Sequence, residues 1–167
     1  MREKIANYID RLNKFIGLLT GIFNFFLLIL VLWGIFSRYI LRSPSHIALE
    51  VSGYLMVLLS FLGAGYILLK EKHVSVQVLT IKIPEKFQKL HKLSVNIILM
   101  LFSLLIIYEG MDFVILAFQE NYRSTSLLNF PLWVVYLTIP VGTFFFFLQT
   151  LRNILLYDKD STISKDK

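Results

Sequence analysis

The stretch EVSGYLMVLLSFLGAGYILLKEKHVSV, Glu50 to Val76, decides how the chain is read. Nineteen uncharged residues separate Glu50 from Lys70. At ~1.5 Å rise per residue, such a helix nearly crosses a hydrocarbon core of ~30 Å. One end carries a single acid, and the other runs into Lys70, Glu71, Lys72 and His73. This is a membrane span with a lightly charged end and a basic end, and it fixes the direction of the other spans.

Outward from it, three further runs have the same character. Phe15 to Ser37 gives 23 uncharged residues. That is too long for the ~7–15-residue apolar core of a cleaved signal, and Ser37-Arg38-Tyr39 is no cleavage site. Leu93 to Tyr108 gives 16, and Ser124 to Leu151 gives 28. The spans expected are about 15–37, 47–69, 93–118 and 131–152, in one domain over 1–157, with a polar tail over 158–167. The fold class is therefore an all-α integral membrane protein with four transmembrane helices.

Composition agrees. The 167 residues are 56% hydrophobic and only 17% charged, against about a quarter charged in soluble domains. The net charge of +6 would raise nucleic acid as a partner of a soluble protein. Here the basic residues lie in loops that meet anionic lipid heads. The chain has no cysteine, which excludes disulfides, thiolate metal sites and a Cys nucleophile. It contains neither a GxxxxGK[ST] loop nor an HExxH pair. No catalytic, cofactor-binding or metal-binding residue is expected, and the chain reads as a non-enzyme.

The connections have their own signals. Residues 1–14 place Ile5, Tyr8, Ile9 and Leu12 at helical spacing among charges, as in a short helix on the membrane surface. Pro44, with Ser43 and Ser45, sets a turn after the first span. VSVQVLTIKI (74–83) alternates apolar and polar residues, but a lone strand at a membrane surface has no pairing partner. It reads as an interfacial amphipathic segment between the second and third spans, followed by Pro84 and Glu85 at the next helix start. Asn129 is a possible cap before Pro131, and Pro140 with Gly142 predicts a kink in the fourth helix.

Lys and Arg partition unevenly. The amino end, second loop and tail hold fourteen; the first and third loops hold three. The positive-inside rule then puts both termini in the cytoplasm.

Small residues suggest packing seams: Gly17 and Gly21 with Asn24 in the first span, and Gly53, Ser60 and Ala64 in the second. Glu109 and Asp112, three apart in the third span, are the only acids that could lie in the bilayer. An intramembrane acid is costly unless it acts, so a self-sufficient proton-coupled exporter built on these two is the alternative reading. The other spans have no interior charge, which favours a scaffold. His46, His73 and His91 all fall at span ends or in loops, which argues against haem ligation.

The ordered motifs resemble the small membrane subunit of the tripartite ATP-independent periplasmic (TRAP) transporters. In IFSRYILRSPSHIALEVSGYLMVLLSFLGAGYILLKEKHVSVQVL (35–79) the shared marks are Arg38-Tyr39, Glu50, Gly63-Ala64-Gly65-Tyr66 and His73-Val74 after a basic pair. In STSLLNFPLWVVYLTIPVG (124–142) they are Ser124-Thr125, Pro131 with Trp133, and Pro140-x-Gly142. Gln77 departs from the family, which often has Asp there. The resemblance implies a separate small subunit in the bacterial inner membrane, without cofactor. It would brace a large sodium-coupled membrane subunit that imports an organic acid delivered by a periplasmic binding protein. Sialic acid is slightly favoured over C4-dicarboxylates. It also implies that Arg38, Glu50, Gly63, Gly65 and His73 lie at or near the large subunit.

Overall fold

The structure is a computed structural model that describes residues 2–71, 85–126 and 128–156. Four helices account for most of these: α1 (Arg2–Tyr39), α2 (His46–Glu71), α3 (Glu85–Gln119) and α4 (Leu132–Leu155). Each contains a stretch long and apolar enough to cross a membrane, and the chain is a multi-pass all-α membrane protein. The interfacial segment expected over 74–83, His73 and the tail from 158 lie outside the described residues.

α1 differs from the expectation of a surface helix followed by a span. It is one helix of 38 residues, ~57 Å long, which overshoots the hydrocarbon core by several turns. Its amino-terminal part is anchored by Ala6, Ile9, Asn13 and Ile16, which are buried, while Ile5 and Tyr8 are exposed. The stripe that packs is thus rotated from the one the apolar residues alone suggest. The buried polar residue Asn13 explains the rotation, because it turns that face toward α4.

The helix ends follow local chemistry. Past α1, Arg42 adopts φ 52° in the left-handed region, which reverses the chain. Ser45 then caps α2, its Oγ accepting the Ala48 N–H at 3.3 Å. Asn121, at φ 50°, closes α3 in a similar left-handed turn. Asn129 does not cap α4. Its own N–H donates to Ser126 O at 3.1 Å within the loop, and Pro131 takes the cap position without a side-chain bond. The 120–131 loop is closed on itself by Ser124 N–H to Phe130 O at 2.9 Å and Leu132 N–H to Tyr122 O at 3.0 Å.

The helices lie as a row in the order α1, α2, α4, α3. α4 is central: a third of its apolar window is buried, against 6% for α1. The flanks expose Phe15, Phe25, Leu32 and Trp33 on α1 and Phe102, Leu105 and Phe113 on α3. Such faces would aggregate in water, but lipid solvates them. Because lipid tails are as apolar as Leu, oily contact does little to choose neighbours here. Close backbone approach and polar bonds do. A Cβ on Gly142 would stand 2.5 Å from the Phe61 carbonyl carbon, so only glycine lets α4 meet α2 there. Gly110 likewise lets α3 approach Ile139 and Pro140 of α4. Phe118 meets Trp133 edge-on at 5.8 Å, joining α3 to the start of α4 at the level of an aromatic belt.

Candidate functional site

Two polar clusters, at opposite ends of the helices, hold the bundle together. The first lies where the start of α1 meets the end of α4. Asn13 Nδ2 donates to Gln149 Oε1 at 2.9 Å, and both residues are fully buried. One turn out, Arg152 Nη2 donates to Asp10 Oδ2 at 2.6 Å, with side chains only 12% and 17% exposed. Gly65 permits this arrangement. A Cβ there would lie 2.5 Å from Asn13 Oδ1 and 3.1 Å from the Phe145 backbone. So Gly65 is where α1, α2 and α4 converge. In a low-dielectric setting a buried amide pair and a paired charge specify register more than they add stability.

The second cluster lies at the opposite end, around Glu50 in the first turns of α2. Its Oε1 accepts hydrogen bonds from Tyr54 Oη and Ser124 Oγ, and its Oε2 accepts from Ser126 Oγ. The Ser124 hydroxyl also faces Ser126 Oγ at 3.1 Å, and the Leu128 N–H donates to Ser126 Oγ at 3.1 Å. Tyr54 is held in turn against Phe130, ring centroids 5.5 Å apart. One carboxylate therefore ties the α3–α4 loop to the start of α2. A carboxylate can accept several donors at once, and charge-assisted bonds of this kind are the stronger ones.

The other singled-out residues fall as follows. Arg38 is exposed in the last turn of α1. Gly63 is buried, with Thr20 Cγ2 at 3.4 Å from a Cβ placed on it. Gly17 sits directly under the Tyr66 ring, whereas Gly21 faces open space and Asn24 is exposed. Gly53 and Ser60 are exposed on α2, and Ala64 is half-buried. Glu109 and Asp112 are exposed and line an open groove of about 380 Å³ on the outer side of α3, with Phe113, Leu116 and Gln119. They do not point between the helices. Among the described residues, no three His, Cys, Asp or Glu side chains converge as metal ligands would.

Sequence reasoning did not find Asn13, Gln149 or the Asp10–Arg152 pair. Their signal is faint, because a polar residue near a span end looks like any interfacial residue. It did single out Glu50 and the Ser124-Thr125 pair, but could not know that the two meet across 74 residues of chain.

The geometry gives the family marks a physical role. Glu50 and Ser124 bond each other, Gly65 admits Asn13, and Gly142 admits Phe61. Residues 27–158 match the family described as "Tripartite ATP-independent periplasmic transporters, DctQ component". Two relatives from Haemophilus influenzae, each named "Putative TRAP transporter small permease protein", are similar to the chain. One is 34% identical over 110 residues, 66% of each chain and so just under two thirds of that relative's length. The other is 21% identical over 142 residues, 85% of this chain and 84% of the relative. The chain belongs to the DctQ component family of the tripartite ATP-independent periplasmic transporters.

Proposed function

We propose that the chain is the small, non-catalytic scaffold subunit of a sodium-coupled TRAP importer in a bacterial inner membrane. It braces the large membrane subunit in lipid, while a periplasmic binding protein delivers the substrate. The observation that carries this reading is how the buried polar groups are used. The Asn13–Gln149 and Asp10–Arg152 pairs join α1 to α4 at one end of the helices, and the Glu50 cluster joins α2 to the α3–α4 loop at the other. The flanking helices turn oily faces outward. This suits a rigid wall: its cross-helix polar bonds hold helices together, while Gln149 Nε2, Arg152 Nε and Arg152 Nη1 are buried without a hydrogen bond within the chain. Both termini are assigned to the cytoplasm, since Asp10 and Arg152 share one end and the basic residues concentrate there.

The large-subunit contact is placed near Arg38 and Glu50, with His73 in the connection beyond α2. Gly63 and Gly65 would act on it at second hand, by holding α2 against α1 and α4. Among substrates, an organic acid is proposed, with sialic acid slightly ahead of C4-dicarboxylates. The decisive experiment deletes this chain and measures sodium-driven uptake by the remaining subunits. Uptake should be lost, and undiminished uptake would refute the scaffold role. Proton-driven flux by the purified chain alone, abolished by Glu109→Gln, would establish the exporter reading instead.

A further inference from the structure

Beside the contact of α1 with α2 lies an open groove of about 600 Å³, lined by Lys14, Gly17, Leu18, Gly21, Ile22, Phe25 and Tyr66. Its floor is hollow because Gly21 has no side chain, and a Cβ added there would meet nothing within 4 Å. Its walls are the apolar side chains of Leu18, Ile22 and Phe25, all exposed. Its mouth is basic. Lys14 lines it directly, and Lys70 Nζ stands 5.1 Å from the centre of the Tyr66 ring that forms the facing wall.

The length of the groove says what fits. From Lys14 to Phe25 the helix rises ~16 Å. Half of a ~30 Å hydrocarbon core is ~15 Å. The hollow therefore has the depth of one leaflet, with two ammonium groups at headgroup level and only hydrocarbon below. A partner helix would need a track through both leaflets and has no use for two cations at one end. A phospholipid has this shape and this charge. We propose that the groove is a binding site for one anionic phospholipid of the leaflet on the side where α1 starts and α4 ends. One acyl chain lies beside the Tyr66 ring and along Leu18, Gly21 and Phe25, and the phosphate is held between Lys14 and Lys70.

The site can be tested on the full chain, purified with whatever it is assembled with. Native mass spectrometry is run with equal amounts of phosphatidylglycerol and phosphatidylcholine of the same acyl length. Two lysine contacts predict ~30-fold preferential retention of phosphatidylglycerol. Lys14→Gln with Lys70→Gln should reduce this to within ~3-fold, whereas the matched charge change Lys4→Gln with Arg11→Gln should leave it in place. Gly21→Phe puts bulk into the hollow from a Cβ that meets nothing within 4 Å, so retention of both lipids should fall while circular dichroism shows unchanged helix content. The proposal is overturned by an absent preference in the wild type, by a preference that survives loss of both lysines, or by retention indifferent to Gly21→Phe. A Gly21→Cys variant that crosslinks to another protein in native membranes would also overturn it, since a helix would then cover the groove.

Discussion

The two ends of the bundle, along its helix axes, solve one problem with different chemistry. Where α1 starts and α4 ends, the contacts are pairwise: one amide to another, one guanidinium to one carboxylate. At the opposite end a single carboxylate gathers three hydroxyls from α2 and the α3–α4 loop. The first design sets the register of two long helices, α1 and α4, which otherwise touch little. The second fixes a short loop, so one hub suffices. Between the ends the hydroxyls of Thr20, Ser60, Ser103 and Thr138 bond to carbonyls of their own helices, and glycines set how closely backbones approach. In a solvent as oily as the protein, shape and a few polar bonds must do what apolar burial does in water.

The largest effect is expected between the two ends. Gly142→Leu forces a side chain into the Phe61 backbone, which cannot yield as a rotamer could. It should cost ~3 kcal/mol or more, seen as loss of the folded fraction in reversible SDS unfolding followed by circular dichroism. Next, Arg152→Leu leaves Asp10 enclosed without its partner. A loss of ~3 kcal/mol is expected, with Asp10→Asn in the same background restoring part of it; no restoration would show that the pair does not interact in the membrane-bound state.

At the other end, Glu50→Ala removes the hub and should cost ~2 kcal/mol, and Glu50→Gln less, because the amide still accepts one hydroxyl. Limited proteolysis in the 120–131 loop should rise with Glu50→Ala and hardly change with Arg152→Leu. Equal rises would erase the distinction between the ends. Smaller again is the amide pair. Asn13→Leu and Gln149→Leu should each cost ~0.6–2 kcal/mol, and the double variant little more than either alone. Additive losses in that double-mutant cycle would mean that the pair is not coupled. The smallest effect belongs to Gly21→Leu, within ~0.5 kcal/mol, whereas Gly17→Leu must displace the Tyr66 ring and should cost clearly more.

These expectations show what could be read in advance at each site. Gly17 and Gly21 form one GxxxG motif, yet one lies under a tyrosine and the other faces open space. The motif says only that a close approach is permitted at either glycine. Glu50 looked like an acid at a helix start, which it is, but its partners lie 74 and 76 residues away. Asn13 was hidden because the apolar residues around it drew a stripe on a neighbouring face.

What the sequence by itself determined is the number of spans and the family. Those rest on runs of uncharged residues and on ordered motifs, both one-dimensional properties. The tertiary structure alone decided that α4 takes the centre, that α1 continues unbroken past the expected membrane surface, and which glycines and polar residues face inward. The physical reason is that lipid accepts any oily face. Helix order then depends on a handful of polar bonds and backbone contacts between residues far apart in the chain, and hydropathy carries no record of these.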